Sequence, residues 1–311
     1  MIVITDDIEF AEQLLVSRAD WKSGDSPAAG RDVGVLIRQL VQREPLYFSE
    51  VPGIGSWRYL FAISHSYRSQ FDLMTELGGK GMQLPDDILC AAGSGEDFHG
   101  FKNRSWVSLR GNIHLVADTA PGRELEHIGV GFIVTAVAAV LRTLDSLPGM
   151  NRRASAKWVN DILIDDAKVC GVLANTQVQE RVVDRAVIGI GLNVEAAPGI
   201  VPDLFVPRTA CLNDFVSGQL PFCHGPVFNR LAAFLDEHLR MYVDGRYREL
   251  LAFYRERSCI IGKEVGVYID RTGADPEEIA YGRVTDIGED LELYLDGNAK
   301  PISSGRVILK N

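Results

Sequence analysis

A long apolar stretch from Glu124 to Leu147, with IGVGFIVTAVAAVL at its centre, constrains the fold of this 311-residue chain more than any other feature. Its apolar side chains cover nearly every side of the predicted helix instead of one stripe, so other elements have to cover it. The most apolar part, Ile128 to Leu141, is too short to span a bilayer and is flanked by charged residues. The pattern therefore predicts a helix buried in the core of a folded domain.

Strand-like runs with tight polar turns surround this helix in the sequence. The region from Leu46 to Ala117 favours short strands and loops around one helix near Ser69 to Leu77. After the buried helix come KWVNDILI, VCGVLANTQ and AVIGIGLNV, and then two further helices, Pro226 to Val243 and Tyr247 to Glu256. Strands that alternate with one buried helix indicate an α+β fold, in which a sheet packs on helices.

The two ends of the chain differ from this middle part. Beyond residue 257, about five short strands separated by Gly, Asp and Asn turns are typical of a small antiparallel barrel. We therefore predict a larger domain over residues 46–257 and a small one over 258–311. The first 45 residues hold two amphipathic stretches on either side of KSGDSPAAGRD, without the basic recognition helix of a winged-helix domain. We predict that residues 1–45 form an N-terminal extension.

Charge and cysteine content argue against several classes of function. Asp and Glu number 42 and Lys and Arg 32, a formal net charge of -10, which disfavours nonspecific binding to nucleic acid or to anionic membranes. The five cysteines have no spacing typical of zinc ligands, and MIVITDDIEF does not resemble a secretion signal. We expect buried thiols in a reducing compartment and a cytoplasmic protein.

Two lysines lie on either side of a tight hairpin predicted in KWVNDILIDDAKVCG. Lys157 is a compact cation that could neutralise a phosphate or a carboxylate, and Lys168 could reach the same site from the facing strand. The alternative is a plain surface hairpin whose turn is capped by Asn160 and Asp161. The spacing alone leaves both interpretations open.

The run GIGLN ends the next apolar strand and places glycines at alternate positions. Gly189 and Gly191 therefore remove side chains from one face of the strand, so that a ligand could lie flat on it. Asn193 could then contact the edge of a ring. Close packing of another element on the glycines is the alternative.

These segments resemble the signatures of the biotin protein ligase and lipoate ligase family. KWVND followed by a lysine and GVL is similar to the family's KWPND, lysine and G-I-L run, and GIGLN is similar to its GxGxN strand. The similarity continues through RTACLNDF and through the last segments of the chain, which are similar to the family's SH3-like domain. It covers roughly two-thirds of the chain, from about Glu124 to the end.

The resemblance implies a ligase-type catalytic domain with a C-terminal SH3-like barrel, and a reaction in two steps. A small carboxylic acid, biotin first of all, attacks the α-phosphate of ATP to give an acyl-adenylate, and a lysine of a biotinyl-carrier-type acceptor domain then takes the acyl group. Such a transfer needs charge neutralisation and alignment more than a protein nucleophile. Mg²⁺ would accompany ATP through phosphate oxygens and water, without a dedicated protein cage. Family members often pair through sheet edges, so a homodimer is among the expected states.

The resemblance also implies roles for individual residues. Lys157 would contact the carboxylate of the acid and the phosphate, Lys168 would support the nucleotide end, and Asn193 would face the adenine. The residues implied in binding the acid are Ser66, Tyr67, His99, Gly100, Phe101, Lys102, Gly171, Gly189 and Gly191. Those implied in binding the nucleotide are Arg104, Trp106, Asn112, Asn160 and Asn193. We expect Trp106 to act mainly as a packing anchor.

The loop FHGFKNRSW departs from the family's GRGRRGRxW pattern. Phe98 and Asn103 replace two glycines, and His99 and Phe101 replace two arginines. No Asp or Glu occurs over residues 98–117, so the loop is a basic island that favours an anionic ligand, with a solvated surface loop as the alternative. Because phenylalanine offers no guanidinium, we expect weaker or rearranged retention of the adenylate.

The family's S-T-N segment, which lines the head-group pocket, is matched here by Ser66, Tyr67 and Arg68. A tyrosine in place of threonine would fill space that the ring system of biotin needs. The alternative is that these residues are an ordinary helix start without a role in binding.

The departures from the family pattern keep two rival functions open. One is a ligase or acyltransferase for lipoate, octanoate or another acid, and the other is a non-catalytic binding protein that retains the fold.

Overall fold

The computed structural model describes residues 1–24, 31–41, 43–199, 201–216, 218, 220–270 and 275–310. Residues 25–30, the centre of the predicted loop KSGDSPAAGRD, lie outside this described part. The helices are α1 (Ile8–Leu15), α2 (Arg31–Leu40), α3 (Gln70–Gly79), α4 (Ile128–Asp145), α5 (His224–Val243) and α6 (Tyr247–Glu256). The strands are β1 (Ile2–Thr5), β2 (Lys22–Ser23), β3 (Tyr47–Glu50), β4 (Tyr59–Ile63), β5 (Ile88–Ala92), β6 (Ile113–Thr119), β7 (Arg123–Glu124), β8 (Ala154–Lys157), β9 (Asp161–Ile164), β10 (Ala167–Gln179), β11 (Val182–Leu192), β12 (Glu264–Ile269), β13 (Glu277–Ile287), β14 (Leu293–Leu295) and β15 (Arg306–Leu309).

The first 11 strands form one mixed sheet in the order β2-β3-β1-β4-β5-β6-β11-β10-β9-β8, with β7 paired to β11. β1 and β4 are parallel, as are β4 and β5, and the neighbouring pairs β5 with β6 and β6 with β11 are antiparallel. Helices pack on this sheet. The α+β class predicted from the sequence is therefore confirmed.

The long helix α4 is buried, as its composition predicts. By length and composition it could cross a membrane, but 67% of it is buried inside the protein, as in a core helix. Helices α5 and α6 and strands β8 to β11 pack against it. It begins at Ile128 and not at Glu124, because residues 123–124 form β7 and pair with β11.

Strand β11 separates the core around α4 from the opposite face of the sheet. Ile188, Ile190 and Leu192 pack in the same apolar cluster as α4. Because successive side chains of a strand point to opposite faces, Gly189 and Gly191 lie on the other face. The two glycines therefore mark a place where that other face carries no side chains.

Strands β1 and β2 and helix α1, from the predicted N-terminal extension, belong to the same layers as the rest of the sheet. Ile2 of β1 pairs with Glu50 of β3 on one side and with Tyr59 of β4 on the other. α1 packs against α5 and β4. The boundary predicted between residues 45 and 46 thus falls inside one sheet. The short run IVIT shows no alternation of polar and apolar residues because β1 is an interior strand, buried along most of its length.

The last part of the chain forms a four-stranded antiparallel sheet in the order β14-β13-β12-β15. Trp158 and Tyr247 connect it to the larger part of the protein. The indole N–H of Trp158 donates to the Leu291 carbonyl at 2.6 Å, and the Tyr247 hydroxyl donates to the Glu289 carbonyl at 2.6 Å. The apolar core is continuous across this contact.

Gly131→Ala is expected to destabilise the fold, because a Cβ at this position would overlap the hydroxyl of Tyr242. That hydroxyl donates to the Glu126 carbonyl at 2.7 Å and has little freedom to move. Overpacking of this kind costs about 1–3 kcal/mol, which urea unfolding would measure. Gly129→Ala in the same helix is the matched control, since nothing lies within 4 Å of its added Cβ. Equal losses in the two variants would contradict the packing argument.

Candidate active site

A cavity of about 200 Å³ opens on the glycine-bearing face of β11. Its walls are the loop 98–107, the start of α3, parts of β6 and β10, and the segment 198–209, of which residue 200 lies outside the described part. The sequence-predicted residues that line it are His99, Gly100, Phe101, Arg104, Trp106, Asn160, Lys168, Gly171, Gly189, Gly191 and Asn193. Those outside its lining are Ser66, Tyr67, Lys102, Asn112 and Lys157.

Aromatic rings cover the glycine strand that we expected to form an open floor for a ligand. A Cβ at Gly191 would lie 2.5 Å from Cε2 of Trp106, and one at Gly171 would lie 3.3 Å from Cζ3 of the same indole. A Cβ at Gly189 would lie 3.1 Å from Phe71. The glycines therefore allow close packing of Trp106 and Phe71, and a ligand in the cavity would meet these rings first.

Lys168 is the lysine that the hairpin presents to the cavity. Its Nζ lies 2.6 Å from Oδ1 of Asp161, and the two side chains are only 17% and 15% exposed. The β9–β10 hairpin brings the two residues together from facing strands. The Nζ also lies 5.9 Å from the centre of the Trp106 ring. A buried cation paired with one carboxylate, beside an aromatic wall, can bind a further anionic group.

Lys157 does not line this cavity, contrary to the expected contact with a bound acid. Its Nζ donates to the carbonyl of Phe205 at 2.7 Å, because β8 directs the side chain toward the segment 198–209. Burial lowers the pKa of Lys157. Lys157 lines a neighbouring pocket, which shares Asp161 and Lys168 with the cavity. Of the predicted pair of lysines, Lys168 therefore lines both adjoining spaces, and Lys157 lines the second one.

The Phe205 ring beside that carbonyl contacts the C-terminal sheet. The guanidinium of Arg306 lies 3.4 Å from the centre of the ring, and the ring of Tyr268 lies 5.7 Å away. Arg306 also pairs with Asp203 at 3.3 Å. One wall of the cavity is therefore held by residues of β12 and β15.

The basic loop divides its cations between the cavity and the surface. Arg104 lines the cavity, and its Nε donates to the Phe101 carbonyl at 3.0 Å. Burial, followed by the nearby charge of Arg306, lowers the pKa of Arg104. No acid within the described ranges forms an ion pair with Arg104, so its terminal nitrogens can donate to a ligand. Lys102, which was predicted to bind the acid, points away toward Asp270 at 3.6 Å.

Tyr67 does not fill the cavity, contrary to the expectation from the S-T-N comparison. Its ring is 39% exposed, and its hydroxyl accepts a hydrogen bond from Nε of Arg43 at 3.0 Å. The Ser66 hydroxyl donates to the Arg68 carbonyl at 2.8 Å. The wall is built three residues later by Ser69, Gln70 and Phe71. Ser69 caps the N-terminus of α3, a signal that the sequence contained.

The three asparagines predicted to bind nucleotide are hydrogen-bonded to the backbone. Oδ1 of Asn112 accepts from the amides of residues 194–196, which makes this residue a structural bracket outside the cavity. Nδ2 of Asn193 donates to the Ala210 carbonyl at 3.0 Å, and Nδ2 of Asn160 donates to the Val172 carbonyl at 2.7 Å. Asn160 and Asn193 still line the cavity, so only these two are placed for a ligand contact.

Three buried polar atoms of lining residues have neither a hydrogen-bond nor an ion-pair partner among the described residues: Nε2 of Gln70, Nε1 of Trp106 and Nδ1 of His114. A fourth buried atom, Oδ1 of Asp161, accepts no hydrogen bond but forms the ion pair with Lys168. The first two are N–H donors. Burial lowers the pKa of His114 to about 4, and its Nε2 faces the Leu109 carbonyl at 3.1 Å. The neutral ring therefore donates through Nε2, which leaves Nδ1 as an acceptor. Sequence reasoning missed Gln70 and His114, since their isolation depends on neighbours far away in the chain.

The described part of the chain contains no group of three or more His, Cys, Asp or Glu side chains that could hold a metal ion. This fits a Mg²⁺ ion that enters with a nucleotide and is coordinated mostly by phosphate oxygens and water. The carboxylates that line the two pockets are Asp161, at their boundary, Asp203 and Asp166.

Comparison with known proteins identifies the family. Residues 98–193 match the Biotin/lipoate A/B protein ligase family. A biotin--[acetyl-CoA-carboxylase] ligase of Mycobacterium tuberculosis is 30% identical over 279 residues, which cover 82% of this chain and 91% of that protein. The chain belongs to this ligase family. The resemblance noted in the sequence is therefore confirmed.

Two more distant relatives extend the comparison. The bifunctional ligase/repressor BirA of Bacillus subtilis is 28% identical over 168 residues. The match covers 54% of this chain and 48% of that protein, so the chain spans about half the length of this relative. A biotin protein ligase from Aquifex aeolicus, solved in complex with biotin and ATP, superposes with a TM-score of 0.62 at 19% sequence identity. The superposition covers 82% of this chain and 99% of the Aquifex aeolicus chain. This last likeness supports the ligase fold.

Gly191→Ala is expected to displace the Trp106 indole from the sheet. The added Cβ would lie 2.5 Å from two indole carbons, so we expect a loss of about 1–3 kcal/mol in the free energy of unfolding and a shifted Trp106 fluorescence. Gly199→Ala adds the same methyl group where nothing lies within 4 Å and should change neither. The packing assigned to Trp106 would be wrong if both variants matched the unmodified protein in stability and emission.

Proposed function

We propose that this protein activates biotin with ATP and transfers the biotinyl group to a lysine of a carrier domain. In the first step the biotin carboxylate attacks the α-phosphate, so that an acyl-adenylate forms and pyrophosphate leaves. In the second step the lysine amine attacks the acyl carbon, and AMP leaves. The Mycobacterium tuberculosis relative is named for a reaction of this kind, and the Aquifex aeolicus protein was solved with biotin and ATP.

The polar atoms without partners in the residues that line the cavity are the reason to propose biotin, and not lipoate or octanoate, as the substrate. Gln70 and Trp106 offer donors, and His114 offers an acceptor. The ureido ring of biotin has a carbonyl acceptor and two N–H donors, which are the complementary groups for these three atoms. The dithiolane ring of lipoate and the alkyl chain of octanoate have neither, so they would leave buried polar groups unpaired at a cost of about 1–3 kcal/mol each.

Lys168 and Arg104 supply the positive charge that the first step needs. Both line the cavity, and together they can neutralise the carboxylate and the α-phosphate as these anionic groups approach each other. Lys157, which lines the adjoining pocket, would neutralise the outer phosphates of the nucleotide. Mg²⁺ would neutralise further phosphate charge when bound with ATP. Alignment of two bound reactants then replaces a protein nucleophile.

The architecture that we propose around this site has two parts. Residues 1–257 would form one catalytic unit, since β1 lies inside its sheet. Residues 258–311 would form the SH3-like barrel of the family, for which the four antiparallel strands are the support. The net charge of -10 and five cysteines without a disulfide fit a cytoplasmic enzyme. A homodimer and a biotinyl-carrier acceptor are the proposed partners.

Exchange of labelled pyrophosphate into ATP tests the first step and the choice of acid together. We expect exchange that depends on biotin and is at least about tenfold slower with lipoate or octanoate, as the unpaired polar groups predict. Exchange with lipoate alone would refute the biotin assignment. Calorimetric binding of biotin and ATP without any exchange would instead favour the non-catalytic rival.

Lys168→Ala should lower kcat for biotin-dependent exchange by about 100-fold or more, as expected for loss of a charge that stabilises the transition state. Lys157→Ala should have a smaller effect on kcat and mainly raise the KM for ATP, because its side chain lies in the adjoining pocket. Lys263→Ala at an exposed site is the matched control and should leave both constants unchanged. If Lys157→Ala abolished turnover and Lys168→Ala did not, the result would support the role that the family pattern implies for Lys157, contact with the carboxylate of the acid and the phosphate.

A further inference from the structure

The imidazole ring of His99 lies between two hydrogen-bond acceptors. Its Nε2 is 2.7 Å from Oδ1 of Asp72, and its Nδ1 is 3.1 Å from the Gly100 carbonyl. A carboxylate and a carbonyl can only accept, so both ring nitrogens have to donate. The geometry therefore requires a ring that carries both protons and a positive charge.

This ring joins two walls of the cavity. His99 belongs to the loop 98–107, which carries Arg104 and Trp106, and Asp72 lies in the first turn of α3, next to Gln70 and Phe71. The loop 98–107 also contacts the rest of the protein through the ion pair of Lys102 with Asp270, in which Nζ lies 3.6 Å from Oδ2 and both side chains are exposed. Exposed ion pairs of this kind contribute little. The contact between His99 and Asp72 is shorter, and the His99 side chain is 20% exposed against 41% for Lys102, while the two carboxylates are similarly exposed, at 42% and 37%.

The charged surroundings of the ring favour its protonated form. Asp72 faces it from α3, and Phe71 meets it edge-on with an uncharged ring. Lys102 and Arg104 follow it on its own loop. Other charged groups on α3 and across the cavity are paired with each other: Glu76 with Arg68 and Lys80, and Asp161 with Lys168. Burial lowers the pKa of His99, but the hydrogen bonds to Asp72 and Gly100 and the charge of Asp72 outweigh it, so the pKa is raised.

We propose that His99 is a positioning residue whose doubly protonated ring fastens the loop 98–107 to α3, and that the cavity retains its ligand only while this ring is charged. The fastening stands on the geometry alone. The retention of biotin and its adenylate rests in addition on the proposed function.

Loss of one proton undoes the contact. One ring nitrogen then becomes an acceptor that faces another acceptor, so one of the two hydrogen bonds is replaced by repulsion. Because the pKa of His99 is raised by folding, its contribution is fully present below the ordinary histidine pKa of about 6.5 and is lost as the pH rises through the higher value of the folded protein. The loop is therefore fastened below the raised pKa of His99 and released above it.

The first experiment needs no ligand. Titration of isotope-labelled histidine rings by NMR, with His99 assigned from its absence in His99→Asn, should give a pKa above about 6.5. Asp72→Asn removes the facing charge and should lower this pKa by about 1. The indole N–H resonance of Trp106, assigned with Trp106→Phe, should shift with the same midpoint as His99. An ordinary pKa that Asp72→Asn leaves unchanged would overturn the fastening.

The second experiment measures the dissociation constant of biotin by calorimetry from about pH 6 to 9. Above the pKa found by NMR, the constant should rise by up to about tenfold per pH unit. His99→Arg supplies a donor that does not titrate and should bind with little dependence on pH, whereas His99→Gln should bind weakly throughout. Lys102→Gln removes the ion pair with Asp270 and should keep the pH dependence of the unmodified protein.

The outcomes separate the two proposals. A dissociation constant that does not change across the NMR pKa, or an equal pH dependence in His99→Arg, would overturn the role of His99 in retention. Absence of biotin binding at every pH would refute the proposed function, while the NMR comparison with Asp72→Asn would still decide whether His99 fastens the loop.

Discussion

The burial of α4 is the constraint on which the rest of the structure depends. A helix with almost no polar side has to lose its contact with water on every side, and here the sheet covers one part of it while α5 and α6 cover another. Burial of its large apolar side chains stabilises the fold by about 1.5–3 kcal/mol for each. Since one face of β11 is committed to this core, the opposite face is the one left for a cavity.

The cavity that results is shaped by aromatic rings and by the pairing of charges. Trp106 and Phe71 approach the sheet only because Gly191 and Gly189 lack side chains. Lys168 is balanced by Asp161 and His99 by Asp72, so Arg104 adds the uncompensated positive charge of the lining. The lining thus combines a cation free for an anionic group with buried polar atoms that have no partner. The proposed activation of biotin as an adenylate would use both.

Much of this could be predicted from the sequence, and the failures have physical causes. α4, the lysine hairpin and the glycine strand follow from local patterns of apolar and small residues. The place of Lys157 could not be predicted, because its side chain is held by the carbonyl of Phe205, 48 residues away in the chain. Tyr67 was expected in the cavity because the S-T-N comparison matched residues 66–68, whereas the wall is built by Ser69, Gln70 and Phe71. Ser69, which caps α3, was a signal in the sequence for this shift of three residues. β1 was missed since a short interior strand lacks the alternation of an exposed one.

The contact of Arg306 with Phe205 has a consequence for how proteins of this type can be recombined. The sheet that carries Arg306 holds the segment 198–209, and the carbonyl of Phe205 in turn receives the ammonium group of Lys157. The last 54 residues, 258–311, are therefore not an interchangeable module, although they are contiguous in the chain. A hybrid joined at residue 257 would bring together two surfaces that were not selected for each other. Exchange of the terminal sheet between relatives would have to carry the segment 198–209 with it.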